Sequence, residues 1–149
     1  MNNLNNLKNR LESYLEPIVQ EEGFELISLT ISQDRVQLAI NRLGGVNLDE
    51  CASINRKLSN FLEEEDPFEV SYTLEVSSPG VDKVIESEKE YRCLIDKELS
   101  IKIESGVLVE GILRSVKGGV LIIGLEDKDI SLNITDIREA KQKIKLSEV

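Results

Sequence analysis

The sequence predicts an α+β protein of two small domains: an N-terminal α-β-β-α-β sandwich over residues 1–85 and a small C-terminal β-barrel over residues 86–149. Three observations carry this. Two segments in the first half repeat apolar residues every three or four positions, the period of a half-buried helix. Three short segments there alternate apolar and polar residues, the period of a strand with one face in a core. From Glu98 onward the pattern becomes short strands divided by tight turns, with no long helix among them.

Leu4, Leu7, Leu11, Tyr14 or Leu15, and Ile18 form the first stripe and predict a helix over about residues 3–22. Pro17 inside it predicts a kink or a break near Glu16, and Gly23 follows as a stop. Glu25–Ser32 and Arg35–Arg42 read as two strands, with Ile27, Leu29 and Ile31 on one face of the first and Val36, Leu38 and Ile40 on one face of the second. The Gln33-Asp34 connection between them is short enough for a hairpin. After Gly44-Gly45, Asn47 with Glu50 three residues on reads as a capping box. It opens a helix to about Glu63, with Ala52, Leu58, Phe61 and Leu62 expected in the core. The acidic run Glu63-Glu64-Glu65-Asp66, unfavourable at the negative end of a helix dipole, and Pro67 mark its termination. Val70–Ser77 reads as a third strand with Val70, Tyr72, Leu74 and Val76 inward, ending at a turn over Ser78-Pro79-Gly80. Only one face of these strands is apolar, so the helices should cover one face of a three-stranded sheet. Glu86–Tyr91 is polar with room for one helical turn. Strands are then expected around Leu99–Ile103, Val107–Leu113, Val120–Leu125 and Ile130–Ile134, with a turn at Lys117-Gly118-Gly119.

Composition narrows the function. With 40% hydrophobic, 31% charged and 4% aromatic residues, the chain is globular with an aliphatic core. Its net charge of −10, from 28 acidic and 18 basic side chains, lacks the cationic footprint of a free nucleic-acid binder and suits a basic partner. The charge is uneven: residues 1–85 hold 15 acidic and 7 basic side chains, whereas residues 86–149 hold 13 and 11. There is no histidine, and Cys51 and Cys93 have no CxxC spacing, so no metal or cofactor is expected and both thiols are read as reduced and core-facing rather than as a disulfide. No Gly-rich phosphate loop or nucleophile elbow is present, and Ser77 or Ser78 as a nucleophile would need a base that the chain does not supply. Consecutive helical carboxylates at Glu63–Asp66 diverge and do not converge on one ion. The chain is therefore read as non-enzymatic. No run approaches 18 consecutive apolar residues, and the N-terminus has no apolar stretch of the signal-peptide kind, so a cytoplasmic protein is expected.

The most specific motif is Leu74–Asp82, LEVSSPGVD, a strand that breaks abruptly. Pro79 fixes φ, Gly80 is free to take positive φ, Ser77 and Ser78 can bond nearby amides, and Asp82 and Lys83 sit just past the turn. This motif closely resembles the signature of the ribosome maturation factor RimP family. LEPIVQEEGFEL at Leu15–Leu26, GGVNLDECAS at Gly44–Ser53 and the Asp66-Pro67 segment within Ser59–Tyr72 resemble the family as well, while the C-terminal half agrees mainly in pattern, at Val107–Gly111 and Lys117–Val120. Departures are Lys83 and Val84 where the family usually has Arg and Pro, Asn41 in place of Asp, and a short loop between the first two barrel strands. Lys lacks the planar fork of Arg, so a fixed phosphate or carboxylate clamp at position 83 is not expected.

The resemblance implies an SH3- or Sm-like second domain and a role in late assembly of the small (30S) ribosomal subunit, with basic ribosomal proteins near the decoding region and ribosomal RNA as partners. The alternative is a stand-alone Sm/SH3-like RNA-binding module, for which only Tyr91 would supply a stacking aromatic in or near the barrel. Candidate partner-binding residues are Ser77, Ser78, Pro79, Gly80, Asp82 and Lys83 in the signature. The acidic set is Glu63, Glu64, Glu65 and Asp66, and the basic set is Arg114, Lys117, Lys141, Lys143 and Lys145 on the barrel and its Arg138–Lys145 tail. Mutual repulsion at −10 predicts a monomer.

Overall fold

The computed structural model describes residues 3–65 and 72–143, with side chains from residue 6. The chain divides into two units, Met1–Pro79 and Gly80–Val149. The sequence expectation puts the division between 85 and 86; Ile85 itself is buried in the core of the second unit, and its N–H donates to the Ala140 carbonyl at 2.8 Å.

The first unit runs α1 (Asn3–Glu21), β1 (Glu25–Ser32), β2 (Arg35–Asn41), α2 (Leu48–Glu65) and β3 (Thr73–Ser77). The outer part of the third expected strand, Val70 and Ser71, lies outside the described residues. Helix α1 continues through Pro17, so of the kink or break expected near Glu16 no break occurs: the proline removes one donor without ending the helix. Leu11, Leu15 and Val19 form its fully buried stripe, while Tyr14 is exposed and lies 6.1 Å, ring to ring, from Phe61 of α2. At the C-terminus, the Phe24 N–H reaches the Val19 carbonyl and the Gly23 N–H the Gln20 carbonyl, at 3.2 and 2.9 Å. This double closure needs a left-handed residue, and Gly23 takes φ +90°.

Strand β2 is the centre of the sheet. It pairs antiparallel with β1 through the Gln33-Asp34 hairpin and parallel with β3, the parallel pairing made reachable by the crossover through α2. Val36, Leu38 and Ile40 are buried as expected. On β1 the inward residues are Leu26, Leu29 and Ile31, and Ile27 is not part of the core. A bulge between Leu26 and Ser28 inserts Ile27 as an extra residue and moves the inward face by one position. The opposite face is polar, with Gln37 donating to Glu75 at 2.9 Å. Helix α2 buries Cys51, Ile54 and Leu58 at helical spacing, leaves Ala52 exposed against expectation, and runs to Glu65 rather than stopping at Glu63. Asn47 and Glu50 form the expected box, with reciprocal bonds of 2.8 and 3.0 Å.

The second unit has a short helix α3 (Glu88–Cys93) and strands β4 (Glu98–Ile103), β5 (Leu108–Lys117), β6 (Val120–Gly124), β7 (Asp129–Asn133) and β8 (Ile137–Gln142), with a 3-10 turn at Ile134–Asp136. They form one antiparallel sheet of order β7-β6-β5-β4-β8. The sheet is open: β7 and β8 are its edges and do not pair, so a closed barrel is not what the strands form. Backbone comes close at Gly111, where an added Cβ would sit 2.6 Å from the Gly124 carbonyl oxygen. Leu99, Ile101, Leu113, Leu121 and Ile123 fill its core. The expected basic tail is, over Ile137–Gln142, a strand paired with β4. Its register brings Ala140 inward opposite Ile101. Cys51 and Cys93 are buried, one in each unit, and are not joined by a disulfide; burial next to Glu50 pushes the Cys51 thiol up from its ordinary pKa.

Candidate functional site

The signature motif straddles the division between units. Ser77 closes β3, and Ser77 and Ser78 are exposed. The hydrogen-bonded reversal comes later than the sequence suggests: the Lys83 N–H donates to the Gly80 carbonyl at 3.1 Å, so Val81 and Asp82 are the turn's central residues. Gly80 is not among the glycines with positive φ, so the conformational freedom that the sequence offers there is not used. What a side chain would meet is Asp82 Oδ1, 3.0 Å from an added Cβ.

Lys83 has a defined partner. Its ammonium donates to Glu90 Oε2 at 2.9 Å and to the Val84 carbonyl at 3.0 Å. Glu90 is 7% exposed, and its second oxygen accepts the Glu86 N–H at 3.2 Å and the Ser87 hydroxyl at 3.4 Å. A carboxylate clamp therefore does form at position 83, through a single ammonium rather than a guanidinium fork. The same α3 carries Glu88, which accepts the Gly119 N–H at 2.6 Å and so ties α3 to the β5–β6 turn. The stretch Ile85–Glu90 is held at several points. Nothing local in the sequence marks Glu90 as a partner of Lys83.

Glu63, Glu64 and Glu65 occupy the last turn of α2, all exposed. Asp66 lies outside the described residues, as does Lys145. Among the described residues no group of three His, Cys, Asp or Glu side chains is placed to hold a metal ion.

The basic candidates fall in different places. Arg114 is an exposed residue at a β5 bulge, with its guanidinium over the Gly124 backbone. Lys117 is exposed at the end of β5. Lys141 and Lys143 come together with Lys102, Asp82, Glu110 and Glu139 along a shallow groove of about 460 Å³. Lys143 lies 3.3 Å from Glu98 and 3.7 Å from Glu110, and its bond to Glu98, then the charge of Glu110, raise its pKa. The groove is thus of mixed charge. Tyr91, the aromatic considered for base stacking, is 2% exposed, and its burial, reinforced by Glu90, pushes the phenol up to about 12. Sequence reasoning also missed two exposed leucines, Leu43 and Leu48, flanking the Gly44-Gly45 loop.

Residues 14–82 match the family model of the RimP N-terminal domain. The chain carries the N-terminal domain of the RimP family. The match ends inside the turn just described, so it takes in α2, its capping box and most of the signature, and leaves the second unit to the fold alone. RimP proteins are a family of ribosome maturation factors, and the resemblance read from LEVSSPGVD is thereby upheld. No helix among the described residues is long and apolar enough to cross a membrane.

Proposed function

We propose that this RimP-family protein binds the free small (30S) ribosomal subunit in the cytoplasm and assists its late assembly as a monomeric, non-catalytic factor. The observation that carries this is the RimP N-terminal domain over residues 14–82. On this reading the second unit, with its antiparallel five-stranded sheet, would correspond to the family's SH3- or Sm-like domain.

The charge distribution supports two contact surfaces. The exposed Glu63, Glu64 and Glu65, with Asp66 after them in sequence, would steer the acidic first unit towards basic ribosomal protein. Arg114, Lys117, Lys141 and Lys143 would lie nearer ribosomal RNA. The signature residues Ser77, Ser78, Pro79, Gly80 and Asp82 would form a further contact, with Lys83 holding the segment in shape. A stand-alone RNA-binding module is the weaker reading, because Tyr91, the aromatic considered for base stacking, is buried. Sedimentation through a sucrose gradient tests the proposal. The protein should co-migrate with free small subunits and be absent from joined ribosomes; sedimentation at the top of the gradient in their presence would reject it.

A further inference from the structure

We propose that the loop Leu43–Leu48 is a preformed docking element that places Leu43 and Leu48 in an apolar recess on a basic protein surface. The inference rests on the proposed small-subunit function for the source of that protein.

The loop is fastened at both ends. The Gly45 N–H donates to the Arg42 carbonyl at 2.9 Å, and Gly44 and Gly45 take φ +93° and +90°, with nothing within 4 Å of an added Cβ. The two glycines serve the backbone path and are not required by crowding. Arg42 lies beneath the loop. Its Nε donates to the Gly45 carbonyl at 3.1 Å, its Nη2 to Glu50 Oε2, and its guanidinium sits 4.5 Å from the centroid of the Phe24 ring. The other Glu50 oxygen accepts the Asn47 N–H. Glu50 therefore joins the clamp to the helix cap, and the loop's shape is set before any partner arrives.

Within this rigid frame the apolar side chains part company. Val46 packs against the first core, whereas Leu43 is 60% and Leu48 87% exposed. A single exposed leucine is unremarkable. Two of them, Leu43 before a loop held by a buttressed arginine and Leu48 on the first residue of α2 after it, form a small anchor of the kind that fills a partner's pocket.

Charge selects the partner. Asp49, next to Leu48, is exposed, and residues 1–79 hold 14 acidic and 6 basic side chains. Arg42 is the only Lys or Arg between Arg35 and Arg56, and it is engaged by Glu50, Gly45 and Phe24. The loop's own cation, Arg42, is already engaged, so the loop offers a phosphate backbone little, while a basic protein meets the exposed Asp49 carboxylate beside an apolar tip.

The test titrates the full-length protein against three probes: intact small subunits, their protein fraction stripped of RNA, and protein-free small-subunit RNA. The expected result is binding to the first two, weakened at least ten-fold in Leu43→Ser/Leu48→Ser, whose melting curve should match the parent because both side chains are exposed. Leu48→Lys should also weaken binding, since it sets a cation against a basic surface. Parent affinity retained by the double variant on intact subunits would overturn the inference and leave the proposed function standing. Binding to naked RNA that Leu48→Lys tightens would also overturn it, in favour of an RNA contact. A parent protein that ignores intact subunits would reject the proposed function, and with it the partner assigned here.

Discussion

Removing the Lys83 ammonium should loosen the start of the second unit. Lys83→Met deletes a charge-assisted bond of 2.9 Å to Glu90 and one of 3.0 Å to the Val84 carbonyl. Bonds to charged groups contribute about 1.5–3 kcal/mol where solvent is excluded. The Glu90 side chain is 8% exposed and that of Lys83 26%, so partial screening on the lysine side favours the lower half of that range. The carboxylate keeps the Glu86 N–H and the Ser87 hydroxyl, which limits the penalty of an unpaired charge. A cost of about 1.5–2 kcal/mol is expected, equivalent to roughly ten- to thirty-fold faster opening of the anchored segment. Amide hydrogen exchange reads this locally: the Ile85 and Glu86 amides, bonded to Ala140 and Glu90, should gain exchange rate while those of Leu38 and Ile40 in the first unit do not change. Lys83→Arg, the residue more usual in the family, should preserve protection, since a guanidinium can take both the carboxylate and the carbonyl. Equal exchange at Ile85 in the Met variant and the parent would mean that the clamp is a solvated pair of no consequence.

Other expectations follow from the same geometry. Gly111→Ala forces a Cβ to within 2.6 Å of a backbone oxygen and should cost about 1–3 kcal/mol in urea unfolding, whereas Gly124→Ala meets the Arg114 side chain, which can swing into solvent, and should cost under about 1 kcal/mol; equal costs would reject backbone crowding as the reason for Gly111. Asn47→Ala should lose about 1 kcal/mol through the missing cap while Asn47→Asp loses almost none, as measured by the same unfolding curves. The Tyr91 phenol stays protonated to about pH 12 in the folded chain against about 10 when unfolded. Its contribution is complete below pH 10 and lost as pH rises towards 12, a fall of at most about 3 kcal/mol, and ultraviolet titration should show one tyrosine ionising only at the top of that range. A tyrosine titration finished by about pH 11 would contradict the burial argument.

Local grammar in the sequence determined much of this protein. The capping box of Asn47 and Glu50, the stop at Gly23, the hairpin at Gln33-Asp34 and the inward set Val36, Leu38 and Ile40 depend on neighbours within a few residues, where period and turn chemistry act directly. The RimP signature is likewise contiguous and was legible as a string. The basic and acidic candidates could be named, yet their surroundings could not: Lys143 beside Glu98 and Glu110, or Lys83 on Glu90, depends on which strands and turns come together.

Tertiary pairing decided the rest. A bulge at Ile27 changes which residues of β1 face inward, because the sheet register, set against β2, outweighs strict alternation. Strand β8 reads as a basic tail, since only Ala140 of Ile137–Gln142 is fully buried, and it becomes a strand because β4 offers it an edge. The anchoring of Ile85 to Ala140, 55 positions away in sequence, was hidden for the same reason. Periodicity records how a segment meets a core, whereas the choice of partner strand is a balance of long-range contacts against loop closure that no single segment encodes.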